Sequence, residues 1–131
     1  VSYRILIVDD SPVSRKMVRR AVQMSGLEVG DIIEAGNGQE ALAALADSWV
    51  DVVLADINMP VMNGIEMVAE MIKRDFMAAT PVVIISSEQA KERVQALKAM
   101  GVSAYLPKPF RPEQIKEVVG GLLRAKKGAE S

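Results

Sequence analysis

The chain has 131 residues with a hydrophobic fraction of 50%, enough for one domain with a sizeable core. A formal net charge of −1 gives no basic footprint for a nucleic-acid backbone, and the longest apolar run, Ala41 to Ala46, is far too short to cross a bilayer. The absence of Cys and His excludes disulfides, thiol nucleophiles, the Ser-His-Asp triad and imidazole or thiolate metal sites, so any chemistry must come from Asp, Glu, Lys, Ser, Thr or Tyr. Lack of Cys suits a cytoplasmic setting. The first residues carry no targeting pattern, and a start at Val1 is compatible with processing or excision from a larger protein.

In chain order, Arg4–Val8 reads as a strand running into Asp9 and Asp10. Ser11-Pro12 then supplies a helix cap and a proline at the first helical position, and Val13, Met17, Ala21 and Val22 form a stripe expected to pack on a sheet. Gly26 stands where that helix should stop, before a second strand at Ile32–Ala35. The third strand, Val52–Ala55, is continuously apolar, as suits a strand covered on both faces, yet it ends in Asp56 with Asn58 close behind. Asn63 caps the next helix. Val82–Ile85 runs into Ser86 and Ser87, the latter a candidate cap, and Gly101 closes the following helix. Ala104–Leu106 leads to Lys108. After Arg111-Pro112 the stripe of Ile115, Val118, Val119, Leu122 and Leu123 marks the last helix. Gly120-Gly121 costs that helix roughly 1 kcal/mol per Gly relative to Ala. The expected organisation is one domain over residues 1–125 and a short disordered tail, Lys126–Ser131. Alternating strands and helices make an α/β fold, a doubly wound parallel sheet of five strands with five helices.

In such sheets ligands bind beyond the carboxyl ends of the strands, where this chain concentrates its polar groups. An ionised carboxylate in a buried setting is costly unless it is paired or used. Three carboxylates close together are tolerable around a hard divalent cation with oxygen ligands, most simply Mg²⁺ with several waters retained. A metal and a lysine beside Asp56 would keep it ionised and attract a phosphoryl group, so Asp56 reads as a nucleophile.

IVDDSP at Ile7–Pro12, DINMPVMNG at Asp56–Gly64, VVIISSE at Val82–Glu88 and YLPKPF at Tyr105–Phe110 together resemble the receiver domain of two-component response regulators. The spacing fits as well, with 30 residues from Asp56 to Ser86 and 22 from there to Lys108. The resemblance runs from about Arg4 to Leu123. It implies a flavodoxin-like, CheY-like sheet in the strand order 2-1-3-4-5 and a phosphoryl group accepted on Asp56 from a sensor histidine kinase. It further implies Mg²⁺ held by Asp10, Asp56 and the backbone carbonyl of Asn58, with Asp9 acting mainly through water. Lys108 and the Ser86 hydroxyl would bind phosphoryl oxygens, Lys108-Pro109 would be a cis peptide, and Ser86 and Tyr105 would switch the face formed by the fourth helix, fifth strand and fifth helix for an output protein or effector domain. Asn58 and Glu88 would tune dephosphorylation. As neither is a long cation, a short-lived phosphorylated form of the chemotaxis type is expected. Ser86 stands where Thr is frequent and Asn63 where Asp is usual, and the segment Gly26–Ile32 looks slightly long for the family.

Each residue alone has a plainer reading: Asp56 as a turn residue, Asp9-Asp10 as a solvated pair before a cap, Tyr105 as an edge aromatic, and the eight Met as core fillers. Two other functions compete with this reading. A Mg²⁺-dependent phosphohydrolase of the haloacid dehalogenase type needs its nucleophile after the first strand in a D-x-D pattern, which Asp9-Asp10-Ser11 lacks. A flavin-binding or degenerate, unphosphorylated interaction module is disfavoured, because a phosphate cradle after the first strand calls for backbone N–H groups rather than two acids, and because every residue that phosphoryl transfer needs is present. The expected protein is a signalling module, not a turnover enzyme, with no direct nucleic-acid contact and no membrane insertion.

Overall fold

Strand and helix alternate in the order β1 (Tyr3–Val8), α1 (Pro12–Met24), β2 (Val29–Ala35), α2 (Gly38–Asp47), β3 (Val52–Ala55), α3 (Gly64–Lys73), β4 (Val82–Ser86), α4 (Lys91–Ala99), β5 (Ala104–Pro107) and α5 (Pro112–Glu130). The computed structural model describes residues 2–87 and 91–130, the last five of these by backbone alone. All strand pairs are parallel, in the order β2-β1-β3-β4-β5. This is the doubly wound sheet expected from the strand and helix pattern.

Successive side chains of a strand face opposite sides, so each strand feeds two cores. Leu6, Val8, Val53, Ala55, Val82 and Ile84 pack with Leu42, Met67, Met71 and Leu97 from α2, α3 and α4. Ile5, Ile7, Val52, Leu54, Val83 and Ile85 pack with Val18 and Val22 of α1 and Ile115, Val119 and Leu123 of α5. Both faces are covered, which is why β3 is apolar at every position. The punctuation is local: Ser11 Oγ accepts the Ser14 N–H at 3.1 Å, Asn63 and Glu66 form a reciprocal capping box, and Gly26 and Gly101 take φ of 87° and 101° where helices end.

Four details differ from the sequence expectation. The buried face of α1 is Val18, Ala21 and Val22, whereas Val13 and Met17 are 69% and 61% exposed. Val18, Ala21, Val22 and Ser25 follow the i, i+3, i+4, i+7 spacing and form the buried face, while Arg15 and Arg19 both pair with Glu34 on β2, at 3.0 and 2.8 Å. β2 begins at Val29, not Ile32, because the long segment contributes an edge strand with a register shift between the Tyr3–Val29 and Ile5–Ile32 pairs. Gly30 and Asp31 disguise that strand, and main-chain pairing overrides their low propensity. The backbone of α5 continues to Glu130, so most of the expected tail is helical; Ala125, Lys126, Lys127 and Ala129 are good helix formers. Of the methionines, Met17 and Met24 are exposed rather than core, while Met59, Met67 and Met71 are buried and Met62, Met77 and Met100 pack against them in part.

Candidate functional site

In the sheet Val8 pairs with Ala55, so the residues that follow, Asp9 and Asp56, leave the carboxyl edge side by side. Ser86 ends β4 opposite Pro107 of β5, and Lys108 comes next. From the end of β5 the Lys108 side chain crosses the edge of the sheet. Its Nζ lies 3.1 Å from Asp56 Oδ2, 3.0 Å from Asp9 Oδ2 and 2.8 Å from Ser14 Oγ. Asp9 is buried and fully engaged: Oδ1 accepts the Ser11 N–H at 3.0 Å, and Oδ2 accepts Ser14 Oγ–H at 2.5 Å as well as Lys108. Burial pushes its carboxyl pKa up, but hydrogen bonds from Ser14, the Ser11 backbone and Lys108 outweigh this and hold it below the ordinary 3.8. Burial likewise pulls Lys108 down, and its bond to Asp9 together with the charge of Asp56 reverses this, raising it above 10.5.

Asp56 is half-buried, its Oδ1 accepting the Ile57 N–H at 2.6 Å and its backbone N–H donating to Val8 O at 2.9 Å. Gly64 permits this approach: a Cβ there would stand 2.5 Å from the Asp56 carbonyl oxygen, and the Gly64 N–H donates to Ile57 O at 2.7 Å. Ser86 is fully buried, and its carbonyl accepts both the Lys108 N–H at 3.0 Å and the Tyr105 hydroxyl at 3.2 Å. The two switch candidates therefore touch directly. Asp10 and Asn58 are exposed at the rim, and the Lys108-Pro109 peptide is cis. Glu88 lies outside the described residues, as does the start of the helix that Ser87 was expected to cap.

Three functional neighbours escape a sequence reading. Ser14 bridges Asp9 and Lys108; its one signal is its place in the first turn of a helix that starts right after the acid pair. Arg15 Nη1 donates to the Asp9 carbonyl at 2.6 Å and so pins the end of β1. Arg93 of α4 donates from Nη1 to Asn58 Oδ1 at 2.9 Å across 35 residues of chain, with no sequence signal at all.

The donors at this edge are hard oxygens, which suit Mg²⁺. Among the described residues no three acids stand close enough to form a cage, but Mg²⁺ typically takes one or two carboxylates and keeps its waters. Asp10 is exposed and Asp56 half-buried at this edge, and each keeps acceptor capacity for such a cation, while the buried and more heavily bonded Asp9 fits a contact through water.

The sequence matches the model of the response regulator receiver domain over residues 5–120. The chain belongs to the receiver domains. It is 37% identical over 116 residues to the chemotaxis protein CheY1 of Helicobacter pylori, covering 87% of this chain and 91% of that one. It is also 37% identical over 116 residues to the chemotaxis protein CheY of Thermotoga maritima, covering 88% and 93%. The structure of the chemotaxis response regulator CheY4 of Vibrio cholerae superposes with a TM-score of 0.80 at 34% identity, covering 93% of this receiver domain and 99% of that chain. Receiver domains of this kind are signalling modules rather than turnover enzymes and generally depend on Mg²⁺. No helix among the described residues is long and apolar enough to cross a membrane.

Proposed function

We propose that this receiver domain takes a phosphoryl group onto Asp56 from the phosphohistidine of a sensor histidine kinase and, once phosphorylated, presents an altered α4–β5–α5 face to an output protein or effector domain. The observation that carries this reading is the Lys108 ammonium within 3.1 Å of Asp56 Oδ2 at the end of a buried strand. An Asp56 oxygen forms a bond to phosphorus, the phosphorus–nitrogen bond of the donor breaks, and the imidazole leaves with the electron pair and takes up a proton. Lys108 follows the charge that develops on the phosphoryl oxygens, and Asp9, itself fixed by Ser11 and Ser14, holds the ammonium in line. Mg²⁺, when bound by Asp10, Asp56 and the Asn58 carbonyl, would supply further neutralisation of those oxygens.

A cleft of about 320 Å³ lined by Ser14, Met17, Ser87, Lys108, Pro109 and Phe110 opens beside the lysine and offers the donor an apolar seat. The Tyr105 hydroxyl on the Ser86 carbonyl gives the signal a route outward: drawing Ser86 toward a bound phosphoryl group displaces the acceptor that Tyr105 holds, which favours a second packing of that face. The relatives' names favour a chemotaxis-type regulator, and the proposed receiver unit is residues 1–125, with the cytoplasm as its proposed setting.

Treatment with Mg²⁺ and a small phosphodonor should add one phosphoryl group by intact mass, and Asp56→Asn should abolish the addition. Equal acid-labile label on Asp56→Asn would disprove the assignment.

A further inference from the structure

β3 and β4 are neighbours in the sheet, so on the reading in which the Ser86 hydroxyl binds phosphoryl oxygens, a phosphoryl group on Asp56 lies in the gap between the ends of these strands. Arg93 spans the mouth of that gap. It rises from α4, which follows β4, and reaches Asn58 on the loop that follows β3, with Nη1 2.9 Å from Oδ1. α4 is otherwise held lightly, for Leu97 is its buried residue. The phosphorylated form ends when water attacks phosphorus: the water oxygen bonds to phosphorus, the bond to the Asp56 oxygen breaks with its electron pair returning to the carboxylate, and a water proton passes to solvent. That water has to be oriented by an acceptor near the mouth. The carboxamide oxygen of Asn58 is such an acceptor, and it is already taking a hydrogen bond from a cation.

We propose that Arg93 is a positioning residue that acts through Asn58 to prolong the phosphorylated state. The guanidinium competes with water for Asn58 Oδ1, and this lengthens the life of the phosphorylated form. The lifetime expected from Asn58 and Glu88 considered without Arg93 is thereby lengthened, because a cation absent from the local sequence arrives from α4. The same contact ties the lifetime to α4: a partner that shifts this helix loosens Asn58 and speeds the loss of the phosphoryl group. This inference rests on Asp56 being the phosphoacceptor.

The test is decay of label from the purified phosphorylated chain in excess Mg²⁺, without kinase or phosphatase, for the parent, Arg93→Ala, Arg93→Lys, Asn58→Ala and the double variant Arg93→Ala/Asn58→Ala. Arg93→Ala should lose label about three- to tenfold faster than the parent, the rate change that one hydrogen bond commonly carries. Arg93→Lys should fall between them, and Arg93→Ala should add nothing once Asn58 is Ala. Thermal unfolding and Mg²⁺ affinity should stay at parent values in Arg93→Ala and Arg93→Lys. Parent-like decay in Arg93→Ala, or the same acceleration with Asn58 already removed, overturns the proposal. A parent chain that takes up no label refutes instead the phosphoacceptor reading on which it stands.

Discussion

The Lys108 ammonium and the Asp9 carboxylate, 99 residues apart in the chain, meet at 3.0 Å beneath Ser14. Their pKa shifts act on opposite limbs of the stability profile. Asp9 titrates lower in the folded chain than the unfolded value near 3.8, so its contribution is present above that value and is lost as pH falls through the folded pKa. Lys108 titrates above 10.5 when folded, so its contribution is present below that value and is lost as pH rises through the folded pKa.

Between roughly pH 5 and 9 neither group should tilt the urea midpoint. Asp9→Asn should remove the acid-limb term, so the stability of the parent relative to this variant should decline as pH drops below 3.8. A difference that stays constant from neutral pH down to about 2.5 would refute the Asp9 assignment.

Val61 is a β-branched residue at φ 66°, with the Met62 N–H closing a tight turn onto Pro60 O at 2.6 Å, and its side chain is 75% exposed. Left-handed backbone costs such a residue roughly 1–2 kcal/mol, and little packing offsets it here. Asn tolerates this conformation. Val61→Asn should therefore stabilise the chain by about 1 kcal/mol in urea unfolding, and Val61→Gly by less, because glycine also frees the unfolded chain. A destabilised Val61→Asn would show that the turn is not strained.

The two glycines of α5 differ in surroundings. A Cβ on Gly121 meets nothing within 4 Å, whereas one on Gly120 would stand 3.2 Å from Leu27 Cδ2 and 3.3 Å from Arg124 Nη1. Gly121→Ala should recover most of the helix-propensity difference, close to 1 kcal/mol or about 3 °C in Tm. Gly120→Ala should gain less, since Leu27 has to give way. Calorimetry on both variants checks the order, and a larger gain at Gly120 would contradict it.

Much of this architecture is local and therefore legible in the sequence. Strand periodicity, the Ser11-Pro12 start, the Asn63 cap and the glycines at helix ends act over a few residues, so the alternation of strand and helix could be read directly. The alternation in turn implied a parallel sheet whose carboxyl edge collects Asp9, Asp10, Asp56, Ser86 and Lys108. What the tertiary structure decided is everything set by contacts between elements. The buried face of α1 is chosen by its packing in the apolar cluster on the sheet, and the first residues of β2 become a strand because β1 offers them partners. Lys108 is parted from Asp9 by most of the chain, and Ser14 joins them through the placement of α1 over the end of β1. Arg93 reaches Asn58 because α4 follows a strand adjacent to β3. A side chain's partner across the sheet is chosen by packing, and no periodicity in a single segment carries that information.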